Sequence, residues 1–293
     1  MNERHLIITA DDFGLCPSVN SAIMELSRAG AITSSMIMIP CPWAGQAAHE
    51  ARTTLGINVG IHITLTSSSD GSRYGPVSRE ACVDSLMAED GAFYPSAADV
   101  ELNATEEAVS AEIRAQIEKA VQLGLDPTHL DSHEGSLLGL SSGRDFLEAA
   151  FELCEEYGLP FKLPRKIIDQ PFLNPAQKQL FQTRLRSAQK RGIALIDDLI
   201  ALPYHLEPGE SYQTVKHSLT EAIKNIGAGI TEIVIHPSAD TDEIRSITPH
   251  WQKRIIEYKL FMDEDIGRLL QQEGIQLISW KNLRDLKRRD RET

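Results

Sequence analysis

The sequence predicts an α/β protein, a TIM-like (β/α) barrel of seven or eight parallel strands. Two observations point there. About eight short apolar runs alternate with helical stretches along the chain, the pattern of repeated βα units that builds a parallel sheet covered by helices. The chain has 293 residues, 42% of them hydrophobic, enough for one sizeable core, and α/β barrels of this length often form a single domain.

The first run, Leu6 to Ala10, heads into Asp11, Asp12, Phe13 and Gly14, a buried strand that stops at two adjacent acids. Pro17 starts a helix that runs to about Ala29 and stops at Gly30. Ile32 to Ile39 is a second strand ended by Pro40 and Pro42. Trp43 to about Leu55 is helical, and Ile57 to Leu65 is a third strand that carries His62. From Thr66 to about Thr105 the rhythm breaks. Serines, two Asp-Gly pairs and Tyr74-Gly75-Pro76 mark a long loop insertion, and long loops in compact domains commonly bind or cover a site. Glu106 to Leu123 is a helix closed by Gly124, and Asp126 to Ser132 a fourth strand.

Arg144 to Tyr157 reads as helix, Leu159 to Leu163 as strand, and Asn174 to Arg191 as helix, with Asn174 as cap and Pro175 in the first turn. Ile193 to Ile196 is a sixth strand, Tyr212 to Ile226 a helix, and Ile230 to Ile235 a strand that ends at His236-Pro237. His250 to Glu273 reads as one long helix. Ile275 to Ile278 is the last strand, and a charged helix follows from about Lys281. No internal repeat, low-complexity tract or linker divides residues 1–293, so the expectation is a single barrel domain.

The formal net charge of -13 argues against nucleic acid and anionic membrane surfaces as partners. Cys16, Cys41, Cys82 and Cys154 lack CxxC spacing, which suits a reducing compartment and gives no zinc-knuckle signal. The N-terminus runs directly into the first strand, without a signal-peptide pattern or a bilayer-length apolar run, so the expectation is a soluble cytoplasmic protein.

The polar residues gather at strand ends. Asp11 and Asp12 follow the first strand, His62 lies near the end of the third, and His133, Arg165 and His236 follow the fourth, fifth and seventh. In a parallel barrel those ends converge on the rim that carries the active site. Two neighbouring acids repel unless a cation or proton relieves them. An Asp with two His suits a divalent ion with open positions: zinc, cobalt or nickel, with manganese and magnesium also considered. A second carboxylate next door can act as general base. In His129-Leu130-Asp131-Ser132-His133, strand alternation puts His129, Asp131 and His133 on one face. His129 reads as a satisfied core histidine or, with Asp131, as a support for His133. Trp43, Trp251 and Trp280 read as packing residues. His5, His49, His205, His217 and His250 read as solvated.

Thr9-Ala-Asp-Asp-Phe-Gly14, Gly60-Ile-His-Ile-Thr-Leu65, Thr128-His-Leu-Asp-Ser-His133 and Ile235-His-Pro237 resemble the signature segments of the YdjC-type carbohydrate deacetylases. That family includes chitooligosaccharide and hopanoid-associated sugar deacetylases. The resemblance implies a (β/α) barrel and metal-dependent hydrolysis of an N-acetyl group on a sugar or oligosaccharide. By this resemblance Asp12, His62 and His133 match the metal ligands, Asp11 the base, His236 the acid, and Arg165 an arginine that orients Asp11. A homodimer is compatible with this reading. The run His133-Glu-Gly-Ser-Leu137 departs from the further histidines many members carry there, so neighbouring substrate contacts differ. Two other readings remain. One is a metal-dependent hydrolase of another amide or a phosphoester, and the other a non-catalytic sugar-binding relative.

Overall fold

The computed structural model describes residues 3–54, 56–67 and 73–292. Its sheet is parallel and curled, in the order β4-β3-β2-β1-β6-β5, with β7 added on β1. The strands are β1 (Arg4–Phe13), β2 (Ser34–Ile37), β3 (Val59–Ile63), β4 (Leu130–Ser132), β5 (Asp198–Ala201), β6 (Gly229–Ile235) and β7 (Gln276–Leu277). β1 is the axis of the sheet. It pairs with β6 from Arg4 to Ala10 and with β2 from Thr9 onward. β7 fills the place beside His5 and Leu6 that β2 does not reach.

Strand alternation divides β1 between two environments. Leu6, Ile8 and Ala10 join the large core between sheet and helices. Ile7 belongs to a smaller cluster with Ile196 and Trp280. There Glu232 accepts hydrogen bonds from Thr9 Oγ1 and from Trp280 Nε1. The helices α1 (Pro17–Arg28), α2 (Ala44–Thr53) and α4 (Glu106–Gln122) follow the early strands as expected. The predicted end of α2 at Leu55 lies outside the described residues.

The structure departs from the sequence reading at several elements. Between β4 and β5 the ladder thins to two isolated bridges, Leu130 with Phe161 and Pro164 with Ile196. The expected strands 159–163 and 193–196 therefore make contacts but no ladder. Pro160 and Pro164 remove two of the donors a ladder needs. The ladders describe a curled half-barrel rather than a fully paired TIM-like barrel. The paired strand β5 begins beyond the expected one, with Asp198 opposite Thr231.

The expected helix from His250 to Glu273 is two, α9 (Trp251–Met262) and α10 (Glu264–Gln272). Asp263 breaks it. Its backbone is extended and its side chain accepts from Asp265 N, a local bond that competes with helix continuation. Two short helices were not foreseen, α3 (Ala97–Asn103) and α8 (Asp242–Ile247), each capped by the hydroxyl before it, Ser96 and Thr241.

The insertion after β3 is pinned from below, apart from residues 68–72, which lie outside the described residues. The buried Glu112 of α4 accepts from the backbone N–H groups of Val77 and Ser78. The remaining helices are α5 (Leu147–Tyr157), α6 (Pro175–Lys190), α7 (Tyr212–Lys224) and α11 (Trp280–Glu292). No helix among the described residues is long and apolar enough to cross a membrane.

Candidate metal centre and active site

The C-terminal ends of β1, β3, β4 and β6 bring five of the six expected residues into one cavity. Asp11, Asp12, His62, His133 and His236 all line a space of about 350 Å³. At the end of β1 the register with β2 shifts between Ala10 and Phe13, and Asp12 takes a left-handed backbone with φ of 69°. Glu134, next to His133, has φ of 51°. These are the two non-glycine residues with positive φ among those described, and strained backbone of this kind clusters at functional sites.

Asp12 is buried, and its two oxygens have different fates. Oδ2 accepts from Arg254 Nη2 of α9 at 2.5 Å. Oδ1 has no hydrogen-bond partner and lies 3.5 Å from His62 Nε2 and 3.6 Å from His133 Nδ1. The two imidazoles meet edge to face, with ring centroids 4.9 Å apart. A buried carboxylate oxygen left bare between two ring nitrogens fits a cation, because burial without a partner is costly for a charged oxygen. Asp12, His62 and His133 therefore form a donor set that could hold a divalent ion, of the mixed carboxylate and imidazole kind that suits zinc and its neighbours. Burial alone would raise the Asp12 carboxyl, but Arg254 and His62 hold it well below the usual carboxylate range. Burial and the neighbouring His62 push His133 down, favouring its neutral form.

Asp131 supports His62, where the sequence reading had it beside His133. Its Oδ1 is in hydrogen-bond contact with His62 Nδ1. A carboxylate can only accept, so Nδ1 carries the hydrogen and Nε2 is turned toward Asp12. Burial opposes a charge on His62, but Asp131 and Asp11 overcome it and raise the imidazole to about 10.

Asp11 is held by Lys162. The lysine Nζ lies 3.0 Å from Asp11 Oδ2 and also contacts Asp131. Burial pushes Asp11 up to about 6, against the pull of Lys162 and His62. Arg165, expected to orient Asp11, does not reach it. Its half-exposed side chain faces Asp197 at 3.5 Å. Lys162, three residues earlier, is the cation that reaches Asp11, while Arg165 opens a short 3-10 turn, Arg165–Asp169, after the extended Pro164.

His236 follows β6, and its backbone N–H donates to Glu257 at 2.5 Å. Its ring packs edge-on against Tyr204, with centroids 5.1 Å apart, and Tyr204 Oη accepts from Arg254 at 2.5 Å. Burial pushes the His236 imidazole down to about 3. A second cavity of about 190 Å³ shares Asp12, His133, Glu134 and Tyr204 with the first. It is lined further by Tyr74 of the insertion, by Arg254 and by His250, which the sequence reading left in solvent.

His129 is a core residue, stacked on Trp280 at 4.4 Å. Its ring fills the space where a Cβ at Gly60 would go. Trp280 is buried as expected, whereas Trp43 is substantially exposed. Lys162, Arg254 and Tyr204 were missed. Lys162 carried a usable signal, a lone cation in the apolar run Leu159 to Leu163. Arg254 did not, since Trp251-Gln-Lys-Arg254 reads as an ordinary helix surface.

The YdjC-like protein family profile matches residues 5–272. The chain belongs to the YdjC-like family. Among its relatives is a protein of Thermoanaerobacter pseudethanolicus named carbohydrate deacetylase, 28% identical over 96% of this chain and 100% of its own length. Another of the same name, from Geobacillus stearothermophilus, is 27% identical over 95% of this chain and 97% of its own length. A crystal structure of a putative cellobiose-phosphate cleavage protein from Enterococcus faecalis superposes with a TM-score of 0.76. It is 25% identical and the match covers 96% of this chain and 99% of that one.

Proposed function

We propose that this YdjC-like chain is a metal-dependent carbohydrate deacetylase, a hydrolase that removes an acetyl group from the nitrogen of an N-acetylated sugar or small glycan. We read residues 1–293 as one domain serving one site. The observation that carries the proposal is the bare, buried Asp12 Oδ1 between His62 Nε2 and His133 Nδ1, with a second carboxylate, Asp11, beside it. The names of the relatives support the substrate class.

Asp12, His62 and His133 would hold one divalent ion, which when bound supplies Lewis acidity toward the amide carbonyl and lowers the pKa of water at the site. Asp11 takes the proton of the attacking water. A carboxylate raised to about 6 is still ionised at neutral pH and is a better base than an ordinary aspartate. Lys162, itself on the cavity wall, keeps that carboxylate in place. His236 is assigned the proton transfer to the departing amine. Its buried ring favours the neutral form, so it must gain its proton only once negative charge has developed on the substrate beside it. Tyr204 and Arg254 fix the wall behind Asp12.

The test is acetate release from a panel of N-acetylated sugars by chelated protein, with each divalent metal added back in turn. Release that depends on metal and is lost in His62→Ala and His133→Ala supports the reading. Substrate binding with no acetate from any sugar under any metal overturns it in favour of a non-catalytic relative.

A further inference from the structure

The candidate centre opens into two unlike lobes. Asp12, His133, Glu134 and Tyr204 belong to both. The smaller lobe mixes the hydrogen-bonding side chains of Tyr74, Thr248, His250 and Arg254 with apolar ones such as Met38 and Ile247. The larger one, about 350 Å³, runs from Asp11 and Lys162 to a wall of Leu138, Leu163, Ile167, Leu199 and Val234. Leu163, Ile167 and Val234 are buried, and the wall comes from four separate parts of the fold: the loop after β4, the segment after Phe161, β5 and β6.

Sugar hydroxyls turned toward that wall would give up water and gain no partner, which is unfavourable for each of them. The mixed lobe, which offers hydrogen-bonding groups beside apolar surface, suits a sugar ring better. The other side of the scissile amide then faces the apolar lobe, and an acetyl methyl fills little of it. The Asp11, His62 and His236 end of that space is taken by the reacting amide, and a methyl, about the size of a water at about 30 Å³, leaves much of the wall from Leu138 to Val234 uncovered.

Resting on the amide-hydrolase reading above, we propose that the larger lobe is an acyl pocket and that the enzyme hydrolyses N-acyl amino sugars whose acyl chain is longer than acetyl. The reaction balances as simple hydrolysis. The amide C–N bond breaks, a C–O bond forms from water, both water protons end on the nitrogen to give an ammonium, and the acid leaves as its carboxylate. No oxidant or reductant is needed. Leu199 and Leu138 are specificity-determining residues in this proposal.

The experiment measures amine release from N-acetyl-, N-propionyl-, N-butyryl- and N-hexanoylglucosamine by the metal-loaded full chain. Burial of each added methylene should raise kcat/KM about fourfold until the lobe is full. Leu199→Gln should lower the hexanoyl-to-acetyl ratio at least tenfold. A ratio is independent of how much of a variant is active, so partial misfolding does not mimic the effect. Rates that fall from acetyl onward overturn the acyl pocket and leave the deacetylase reading standing. A rising series with an unchanged ratio in Leu199→Gln and in Leu138→Gln also overturns it, since the preference would then lie elsewhere. No amine from any member overturns the amide-hydrolase reading and this proposal with it.

Discussion

Loading the centre with a divalent ion should release one proton per chain, and that proton should come from His62. Without an ion, His62 sits with Asp131 on Nδ1 and with Asp12 and Asp11 at 3.5 and 3.8 Å from Nε2. These carboxylates hold the imidazole at about 10, so at neutral pH it is a cation, and an ion that takes Nε2 must displace its proton. Displacement from a group at about 10 costs the ion about 4 kcal/mol at pH 7, and about 1.4 kcal/mol less for each pH unit above that. Apparent affinity should therefore rise tenfold per pH unit between pH 7 and pH 9. Asp12 is ionised and His133 neutral over this range, and Asp11, at about 6, is deprotonated throughout, so none of them adds a proton. Calorimetric titration of the chelated protein in buffers of different ionisation enthalpy reads the number directly. The same charge network predicts a stability effect in the metal-free protein. A histidine raised from 6.5 to about 10 contributes fully below pH 6.5 and loses that contribution as pH rises through about 10, a change on the order of 5 kcal/mol. Tight metal binding with no proton release and no pH dependence would refute the network as the reason His62 is placed where it is.

Three further outcomes follow from the same geometry. Lys162→Met leaves Asp11 and Asp131 buried without their cation and should cost about 3–5 kcal/mol, read by urea unfolding at pH 7; a loss below about 1 kcal/mol would show that the ammonium does not bind both carboxylates. Asp11→Asn should lower turnover by roughly 10²- to 10⁴-fold while metal content, measured by elemental analysis, stays at one ion per chain. His236→Ala should lower kcat, and by less for substrates with a better leaving group, which need less protonation; equal losses across a leaving-group series would remove His236 from the acid's role.

The parts of the site legible in the sequence are those that local pattern fixes. Apolar runs that end in Asp11-Asp12, His62, His133 and His236 announce strand ends, and parallel strands place their ends together. What alternation and run length cannot encode is which side chain crosses from another element. Arg254 reaches Asp12 from α9, more than two hundred residues downstream, and nothing in a helix of mixed charge says that its cation is buried. Lys162 and Arg165 illustrate the same limit at short range. Both are cations near one strand end, and strand-like composition does not say that Lys162 reaches Asp11 while Arg165 faces Asp197. The barrel was over-read for a related reason. Leu159 to Leu163 and Ile193 to Ile196 have strand-like composition, yet with Pro160 and Pro164 in and after the first run the two are left with isolated bridges, and composition does not count hydrogen bonds.

The two adjacent acids pose a conflict that the backbone at Asp12 resolves. In a regular strand, Asp11 and Asp12 would point to opposite faces, one into the curl and one toward the helices, and could not serve one centre. Asp11 keeps the orientation of Ile7 and Thr9. At Asp12 the chain leaves the β region for φ of 69°, the register with β2 slips, and the second carboxylate comes round to the same cavity. A left-handed residue with a side chain is unfavourable by roughly 1–2 kcal/mol, and aspartate and asparagine tolerate it better than most. Asp12→Asn should thus keep the backbone and the fold while losing the charge that Arg254 and the two histidines surround. Asp12→Val adds a β-branched side chain at a conformation it resists, so it should be the less stable of the two by thermal unfolding of the metal-free proteins. Equal stability would mean that Asp12 is not held in the left-handed region, and that some other bend brings both carboxylates to the centre.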